Sequence, residues 1–186
     1  MSRLVLVRHA ATSWTGHRYC GRSDLPLSHA GLEQASRLAA RLPAEDGPIA
    51  RIVTSPLLRA RQTAAVIAAA LVRTPTLVDD RWQETDFGLA EGLDFEEVAV
   101  AWPNLAQRLV AGDRAIDWPG GEPHRALADR VSAALADVRA GDGTWLVVTH
   151  AGPLRHALAT LGAGVQTTIA TPGPGTAIRV AIGGAG

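Results

Sequence analysis

The feature that most constrains the fold is a pair of short apolar runs that end abruptly in polar residues. Leu4–Val7 consists only of apolar β-forming residues and is followed immediately by Arg8-His9. Trp145–Val148 is similar and is followed by Thr149-His150. Runs without polar alternation are typical of strands buried on both faces of a sheet. Potentially cationic side chains at the ends of buried strands are costly unless something there binds them.

Helical patterns separate these runs from further strands. The pattern predicts strands at Leu4–Val7, Arg51–Thr54, Thr76–Val78, Leu146–Thr149 and, as an edge or final strand, Thr176–Ile182. Helices are predicted after an N-cap at Ser28 with a stop at Pro43, from Ser55-Pro56 onward, around Phe95–Trp102, over Glu122–Ala140 and over Pro153–Leu161. Strands that alternate with helices predict an α/β fold, here a three-layer α/β/α sandwich with a mostly parallel central sheet.

Length and composition predict one domain and exclude several classes of partner. The 186 residues fit a single domain over 1–186, in which a less regular cap segment occupies about 85–123. A net charge of zero provides no overall field for nucleic acid or a membrane surface. The single cysteine, Cys20, fits a reducing compartment. Because no apolar run reaches about 18 residues, we expect a cytoplasmic protein. The oligomeric state stays open.

The polar strand ends are expected to form one site. Ligands of open α/β sheets bind beyond the carboxyl ends of the strands. Arg8-His9 follows the first strand, His150 follows a later one, and Arg59 lies one helical turn beyond the strand that ends at Thr54. Arginine and helix N-termini bind phosphate oxygens, and histidine can act as a neutral nucleophile near pH 7. The pattern therefore predicts a phosphate pocket that contains a nucleophile.

A zinc site is the main alternative for these residues, because the two histidines and Glu84 could ligate a metal ion. Two arginines in the same pocket would repel a cation and attract an anion, so we predict no metal and no cofactor. Taken singly, each histidine could be a core or capping residue and each arginine a surface residue. Only their combination favours the phosphate site.

At this point the sequence resembles the histidine phosphatase superfamily, in the branch that contains cofactor-dependent phosphoglycerate mutases. The matching motifs run in order from about residue 3 to about residue 160. They are Arg8-His9-Ala10 with Thr12, Gly21–Ser28 with Gly31, Thr54–Ala64, Glu84 with Phe87-Gly88 and Glu91-Gly92, Pro119–Glu122, and Val148–Gly152. Several motifs in the family's order are far more specific than any one of them.

The resemblance implies a role for each central residue. It makes His9 the nucleophile that becomes phosphorylated, and Glu84 the proton donor to the leaving group. It implies that Arg8, Arg59 and His150 hold the phosphoryl oxygens. The mechanism then expected has a neutral His9, kept so by the nearby arginines, and a protonated His150. Glu84 first donates a proton and then, ionised, activates water.

Further substrate contacts are predicted at Gly21 and Ala151, which lie in matching motifs. Thr15 stands where many members of the family have asparagine in the phosphate pocket. Whether Thr15 replaces that contact stays open. Arg61 and Glu91 are interpreted as surface or structural residues. The remaining histidines are interpreted as ordinary surface or helix residues; they are His17, His29, His124 and His156.

The function that follows is a metal-independent phosphomonoesterase acting on a small phosphorylated metabolite through a phosphohistidine. Compact family members include α-ribazole phosphatases, and a cofactor-dependent phosphoglycerate mutase is the nearest alternative. Hydrolysis is favoured because the cap is short and because few arginines between Thr85 and Thr149 are placed to bind a second anionic group. A non-catalytic phospho-ligand binding protein is expected to lose His9 or Glu84, and this chain has both.

Overall fold

The computed structural model describes residues 2–71, 74–162 and 172–182, and these residues contain five strands and six α-helices. The strands are β1 (Ser2–Arg8), β2 (Arg51–Thr54), β3 (Thr76–Val78), β4 (Thr144–Thr149) and β5 (Ala177–Ile182). The helices are α1 (His29–Asp46), α2 (Leu58–Ala70), α3 (Phe95–Ala101), α4 (Pro103–Val110), α5 (His124–Ala140) and α6 (Ala151–Thr160). Two 3₁₀ turns cover Asp80–Trp82 and Gly88–Ala90.

The strands form one mostly parallel sheet in the order β3-β2-β4-β1-β5. The first four strands in that order are parallel, and β5 runs antiparallel along β1. Each predicted strand is present, and the edge strand near the carboxyl end of the chain is β5. The predicted α/β fold with a mostly parallel sheet is therefore confirmed.

Both faces of the sheet are covered, as the unbroken apolar runs predict. Leu4 and Leu6 of β1 pack into a core with residues of α5 and α6. Val5 and Val7 of the same strand pack into a second core with residues of α1 and α2. Successive side chains of a strand point to opposite faces, so a strand between two helical layers has no polar positions.

The sheet register brings the polar strand ends together. Arg8 at the end of β1 is paired with Thr149 of β4, and Thr54 at the end of β2 is paired with Val148 of β4. β4 lies between β1 and β2, so the three carboxyl ends are adjacent along one edge of the sheet. His9, His150 and the start of α2 all follow directly from these ends.

Helix boundaries differ from the predictions by one or two residues in α5 and α6, and more substantially at three places. Pro43 does not stop α1, which continues to Asp46. The helix predicted from Ser55-Pro56 begins later, at Leu58, with Leu57 as its N-cap. The segment after Trp102 forms α4, which begins at Pro103 and was not predicted.

The predicted cap segment, residues 85–123, contains the second 3₁₀ turn, α3 and α4, and has a small core of its own. That core consists of Ala90, Val98, Leu105 and Ile116, with half-buried aromatic side chains around it. The prediction of one domain over residues 1–186 includes segments outside the described residues and stays a prediction. No helix in the described part of the chain is long and apolar enough to cross a membrane.

Candidate active site

His9 lies at the bottom of a cavity, with its ring held in one orientation. Its Nδ1 lies 2.7 Å from the backbone oxygen of Ala10, so this nitrogen carries the proton and donates it. The lone pair of Nε2 is then the nucleophilic site, and the Arg59 Nε–H donates to it at 3.2 Å. Burial, with the positive charge of Arg59 nearby, lowers the pKa of His9 to about 3. His9 is therefore neutral at physiological pH.

Arg59 is a buried cation in the first turn of α2. Besides the contact with His9, its Nη1 donates to the oxygen of Ser23 at 2.8 Å and its Nη2 to the oxygen of Gly21 at 2.6 Å. These bonds fix the plane of the guanidinium beside the His9 ring. Two of its five N–H donors have no partner among these contacts, and they are suited to an anion.

Arg8 and His150 flank His9. Arg8 Nη1 donates to the oxygen of Pro172 at 2.8 Å, whereas its buried Nε has no partner within the described residues. The His150 ring centroid is 4.9 Å from that of His9. His150 Nε2 is 2.7 Å from the Ser55 hydroxyl oxygen, and its buried Nδ1 has no partner there either.

His150 is neutral in the unliganded site. Burial, followed by the positive field of Arg59, lowers the pKa of His150 well below its ordinary value. The unliganded site therefore contains a neutral His150, whereas the protonated His150 expected from the sequence belongs to the step with a phosphoryl group bound and stays a prediction. The physical reason is that the ring is fully buried next to other positive groups, where a further charge is unfavourable.

Glu84 lies across the cavity, between the first 3₁₀ turn and the N-terminus of α6. Its carboxylate accepts hydrogen bonds from the backbone N–H of Thr85 at 2.9 Å, of Ala151 at 3.1 Å and of Gly152 at 3.0 Å. A Cβ on Gly152 would lie 2.5 Å from Glu84 Oε1, so a larger residue at this position would displace the carboxylate. The helix N-terminus thus holds the carboxylate in place.

The three further predicted contacts all line the cavity. The Thr15 hydroxyl accepts a hydrogen bond from the Thr12 N–H at 2.9 Å, which holds the loop after β1. Gly21 contributes its backbone oxygen to Arg59 and has a positive φ of 49°. The N–H of Ala151 is bound to Glu84. The interpretation of Glu91 as structural fits its contacts, because its carboxylate binds the N–H groups of Arg22 and Ser23.

The cavity has a volume of about 640 Å³ and extends well beyond these residues. One part of its wall is aromatic and comes from Tyr19, Phe87 and Trp118. Another part is basic or imidazole-bearing and comes from Arg18, Arg114, His124, Arg155 and His156.

One sequence interpretation needs correction here, and another needs an addition. His124 and His156 are not ordinary surface residues, because both line the cavity. The expectation of few basic residues for a second anionic group considered only the segment from Thr85 to Thr149, and Arg155 of α6, outside that segment, also lines the cavity. The helical spacing of Arg155 from Ala151 on the N-terminal turns of α6 was the signal that could have identified it.

The arrangement suits transfer of a phosphoryl group to His9. A neutral imidazole, two guanidinium groups and spare buried donors meet at one point, and a carboxyl group faces them. Within the described residues, no three His, Cys, Asp or Glu side chains are grouped so that they could hold a metal ion.

The sequence and structure comparisons identify similar proteins. The sequence profile of the histidine phosphatase superfamily, branch 1, matches residues 4–180. A bifunctional protein of Mycobacterium tuberculosis is 39% identical over 160 residues, which are 84% of this chain and 43% of that protein. Phosphoserine phosphatase 1 of Hydrogenobacter thermophilus is 36% identical over 158 residues, covering 83% of this chain and 74% of that protein.

A solved structure is also similar over nearly the whole chain. The crystal structure of a phosphoglycerate mutase from Thermus thermophilus superposes with a TM-score of 0.75 at 31% identity, covering 96% of this chain and 92% of that chain. The Mycobacterium tuberculosis protein is much longer than the matched region, since this chain spans 43% of its length.

Proposed function

The chain belongs to the histidine phosphatase superfamily, and from that membership we propose that it is a phosphomonoesterase. It would remove phosphate from a small phosphorylated metabolite, without a metal ion, through a phosphohistidine at His9. The observation that carries the proposal is the state of His9: Nδ1 is bound to the Ala10 oxygen, and Nε2 is an unprotonated lone pair beside Arg59.

The first chemical step forms a bond from His9 Nε2 to phosphorus and breaks the bond from phosphorus to the ester oxygen. Arg8 and Arg59 offset the charge of the equatorial oxygens. The neutral His150 offers a further donor at Nδ1 if Ser55 donates to Nε2. The leaving alcohol takes its proton from Glu84, which must then bind substrate in its protonated form.

The second step returns the enzyme to its starting state. Water gives a proton to the Glu84 carboxylate and attacks the phosphohistidine, which releases inorganic phosphate and neutral His9. In this proposal water reaches the carboxylate through the cavity, whose lining includes exposed residues such as Gly16, Gly112 and Asp113. The short cap, whose two helices have seven and eight residues, supports this access.

Access of water supports a phosphatase over a mutase, in which the phosphohistidine must persist until a second hydroxyl attacks. The names of the similar proteins include both activities, phosphoserine phosphatase and phosphoglycerate mutase. The cavity is much larger than a phosphate group, and its aromatic wall favours a substrate with a sizeable organic part. α-Ribazole phosphate, which carries an aromatic base, is one substrate of this kind.

The two activities are separated by following two products in one assay. The purified chain is given 3-phosphoglycerate with 2,3-bisphosphoglycerate, and both 2-phosphoglycerate and free phosphate are measured in the presence of a chelator. A parallel panel contains phosphoserine, α-ribazole phosphate and other phosphomonoesters. We expect phosphate release from at least one ester, unaffected by EDTA, and acid-labile phosphate on His9. Isomer formation faster than phosphate release would identify a mutase, and activity restored only by zinc or magnesium would overturn the mechanism.

A further inference from the structure

A residue outside the cavity holds the backbone from which Glu84 projects. Arg130 lies on α5, and its guanidinium reaches the segment that follows the first 3₁₀ turn. Nη1 donates to the backbone oxygens of Arg81 and Gln83, both at 2.7 Å, and Nη2 donates to the oxygen of Glu84 at 3.1 Å. One side chain therefore binds three carbonyl groups within four consecutive residues.

Glu122 completes the hydrogen bonding of this guanidinium. Its carboxylate accepts from Arg130 Nε at 2.7 Å and from Nη2 at 2.8 Å. With the three carbonyl contacts, this uses all five N–H donors that an arginine has. The Glu122 carboxyl is largely buried and has a lowered pKa: burial opposes the shift, but the Arg130 guanidinium, together with Arg22 and the backbone of Asp86, outweighs it. The buried charge of Arg130 is thereby neutralised.

The Glu84 segment depends on these bonds because it has no regular secondary structure. Residues 83–87 lie between the two 3₁₀ turns, outside the sheet and outside any α-helix. The Glu84 side chain is directed to the N-terminus of α6, while its backbone oxygen is directed to Arg130. The carboxyl group is thus fixed from two sides, one on α6 and one on α5.

We propose that Arg130 is a positioning residue that sets the location of the Glu84 carboxyl group for proton transfer to the leaving group. This inference rests on the proposed function, in which Glu84 is the acid. A displacement of a catalytic group by about 1 Å can lower the rate by roughly 10²-fold. Lysine cannot replace Arg130, because a single ammonium group cannot bind three carbonyls and a carboxylate in this fixed planar pattern.

The test uses the leaving group as its probe. An ethyl phosphate needs a proton on its departing oxygen, whereas p-nitrophenyl phosphate hardly needs one. The value of kcat/KM is measured for both esters, since it reports the step in which the ester bond breaks. For Arg130→Lys and Arg130→Met we expect a loss of roughly tenfold to 10²-fold with ethyl phosphate. The loss with p-nitrophenyl phosphate should stay below about threefold.

Arg125→Met is the matched control, because it lies on the same helix with a side chain that is 92% exposed, against 16% for Arg130. It should leave both esters unaffected. The folded fraction of each variant is determined by thermal unfolding, and the reactive fraction by the stoichiometry of phosphohistidine formation. If Arg130→Met does not fold, the lysine variant and Glu122→Gln still test the proposal.

A merely structural role for Arg130 would lower the rates of both esters by the same factor, and that result overturns the inference, as does an unchanged rate for both. Glu84→Gln is measured alongside to separate the positioning role of Arg130 from the acid role of Glu84. If Glu84→Gln is selective for ethyl phosphate and the Arg130 variants are not, only the positioning role fails. If Glu84→Gln lowers both esters equally, the acid role of Glu84 fails and the inference fails with it.

Discussion

The floor of the cavity and its cap differ in burial and in the interactions that hold their residues. At the floor, the four central side chains are almost inaccessible: His9 is 6% exposed, Arg59 1%, Glu84 6% and His150 0%. Hydrogen bonds from backbone groups and neighbouring side chains hold each of them. The cap is two short helices around a small apolar core, and its outer surface includes side chains such as Val100, which is 84% exposed.

From this difference we infer that the floor residues determine the reaction, whereas the cap determines which substrate is preferred. His9, Arg59 and His150 follow the ends of three adjacent strands, so the sheet fixes their relative positions, whereas Glu84 is held by the N-terminus of α6. The cap contributes apolar contact without strand support. We therefore expect substitutions of His9 or Arg59 at the floor to lower turnover of every ester, and substitutions in the cap to change which ester is preferred.

The largest effect is expected for His9→Ala, which removes the nucleophile. Loss of covalent catalysis should reduce kcat/KM by roughly 10³-fold or more for all phosphomonoesters. The measurement is phosphate release, together with acid-labile phosphate on the protein after brief incubation with substrate. His17→Ala is the control, because His17 is exposed near the same loop. Turnover like that of the wild type in His9→Ala would falsify the proposed mechanism.

The next effect is expected for Arg59→Ala, which removes a buried donor and leaves the oxygens of Gly21 and Ser23 unpaired. Loss of one oxyanion donor should lower kcat/KM by roughly 10²–10³-fold for every ester. The unpaired carbonyls should also cost about 1–3 kcal/mol of unfolding free energy, measured with denaturant. Arg61→Ala, an exposed position on the same helix, should change neither quantity. A kinetic loss no larger than that of Arg61→Ala would contradict the assigned role of Arg59.

The buried histidines of the floor predict a pH dependence of stability. His9 has a pKa of about 3 in the folded state, and in the unfolded chain it titrates near 6.5. Between these values the unfolded state binds the extra proton, so the free energy of unfolding falls as the pH drops below about 6.5. The contribution approaches about 1.4 kcal/mol per pH unit for one such group.

His9→Gln should remove this contribution, so that its unfolding free energy declines less steeply than that of the wild type between about pH 6 and pH 4. His150 also has a lowered pKa and should leave a remaining slope in the variant. The measurement is urea denaturation at several pH values. Parallel pH profiles for the two proteins would show that His9 titrates normally in the folded state.

The same contrast explains what could be predicted from the sequence. The strands and the residues that end them carry local signals, namely apolar β-forming runs followed by polar residues, so the sheet and the floor were predicted. The helix boundaries that differ from the predictions depend on contacts between distant parts of the chain. α1 continues past Pro43 because its last turn is held by the buried Asp46, which binds Arg179 of β5 at 2.7 Å.

The other features that the sequence did not predict also depend on contacts between residues far apart in the chain. The helix predicted from Ser55-Pro56 onward begins two residues after Pro56, and the Ser55 hydroxyl is bound to His150 Nε2. Arg130 could not be recognised as a holder of the Glu84 segment, because its partners lie 46 to 49 positions earlier in the chain. The aromatic wall of the cavity combines Tyr19 with two cap residues, and no periodic pattern links them.

The smallest effect is expected in the cap, at Trp118. Its ring lies 4.4 Å from that of Phe87 and 5.2 Å from that of Tyr19, and all three line the cavity. 2-Phenylethyl phosphate and ethyl phosphate have similar alkoxide leaving groups and differ in the aromatic ring that the wall could contact. In Trp118→Leu, loss of an aromatic contact worth about 0.5–1.5 kcal/mol should raise KM for the phenylethyl ester roughly two- to tenfold.

For ethyl phosphate, KM in Trp118→Leu should change little, and kcat should be preserved for both esters because the floor is untouched. Trp145→Leu is the control, since this tryptophan lies under Arg51 at the start of β4, outside the cavity. An equal rise in KM for the two esters would show that the cap does not distinguish their organic groups. A fall in kcat as large as that of Arg59→Ala would show that floor and cap are not separable, since the cap would then be holding the catalytic residues in place.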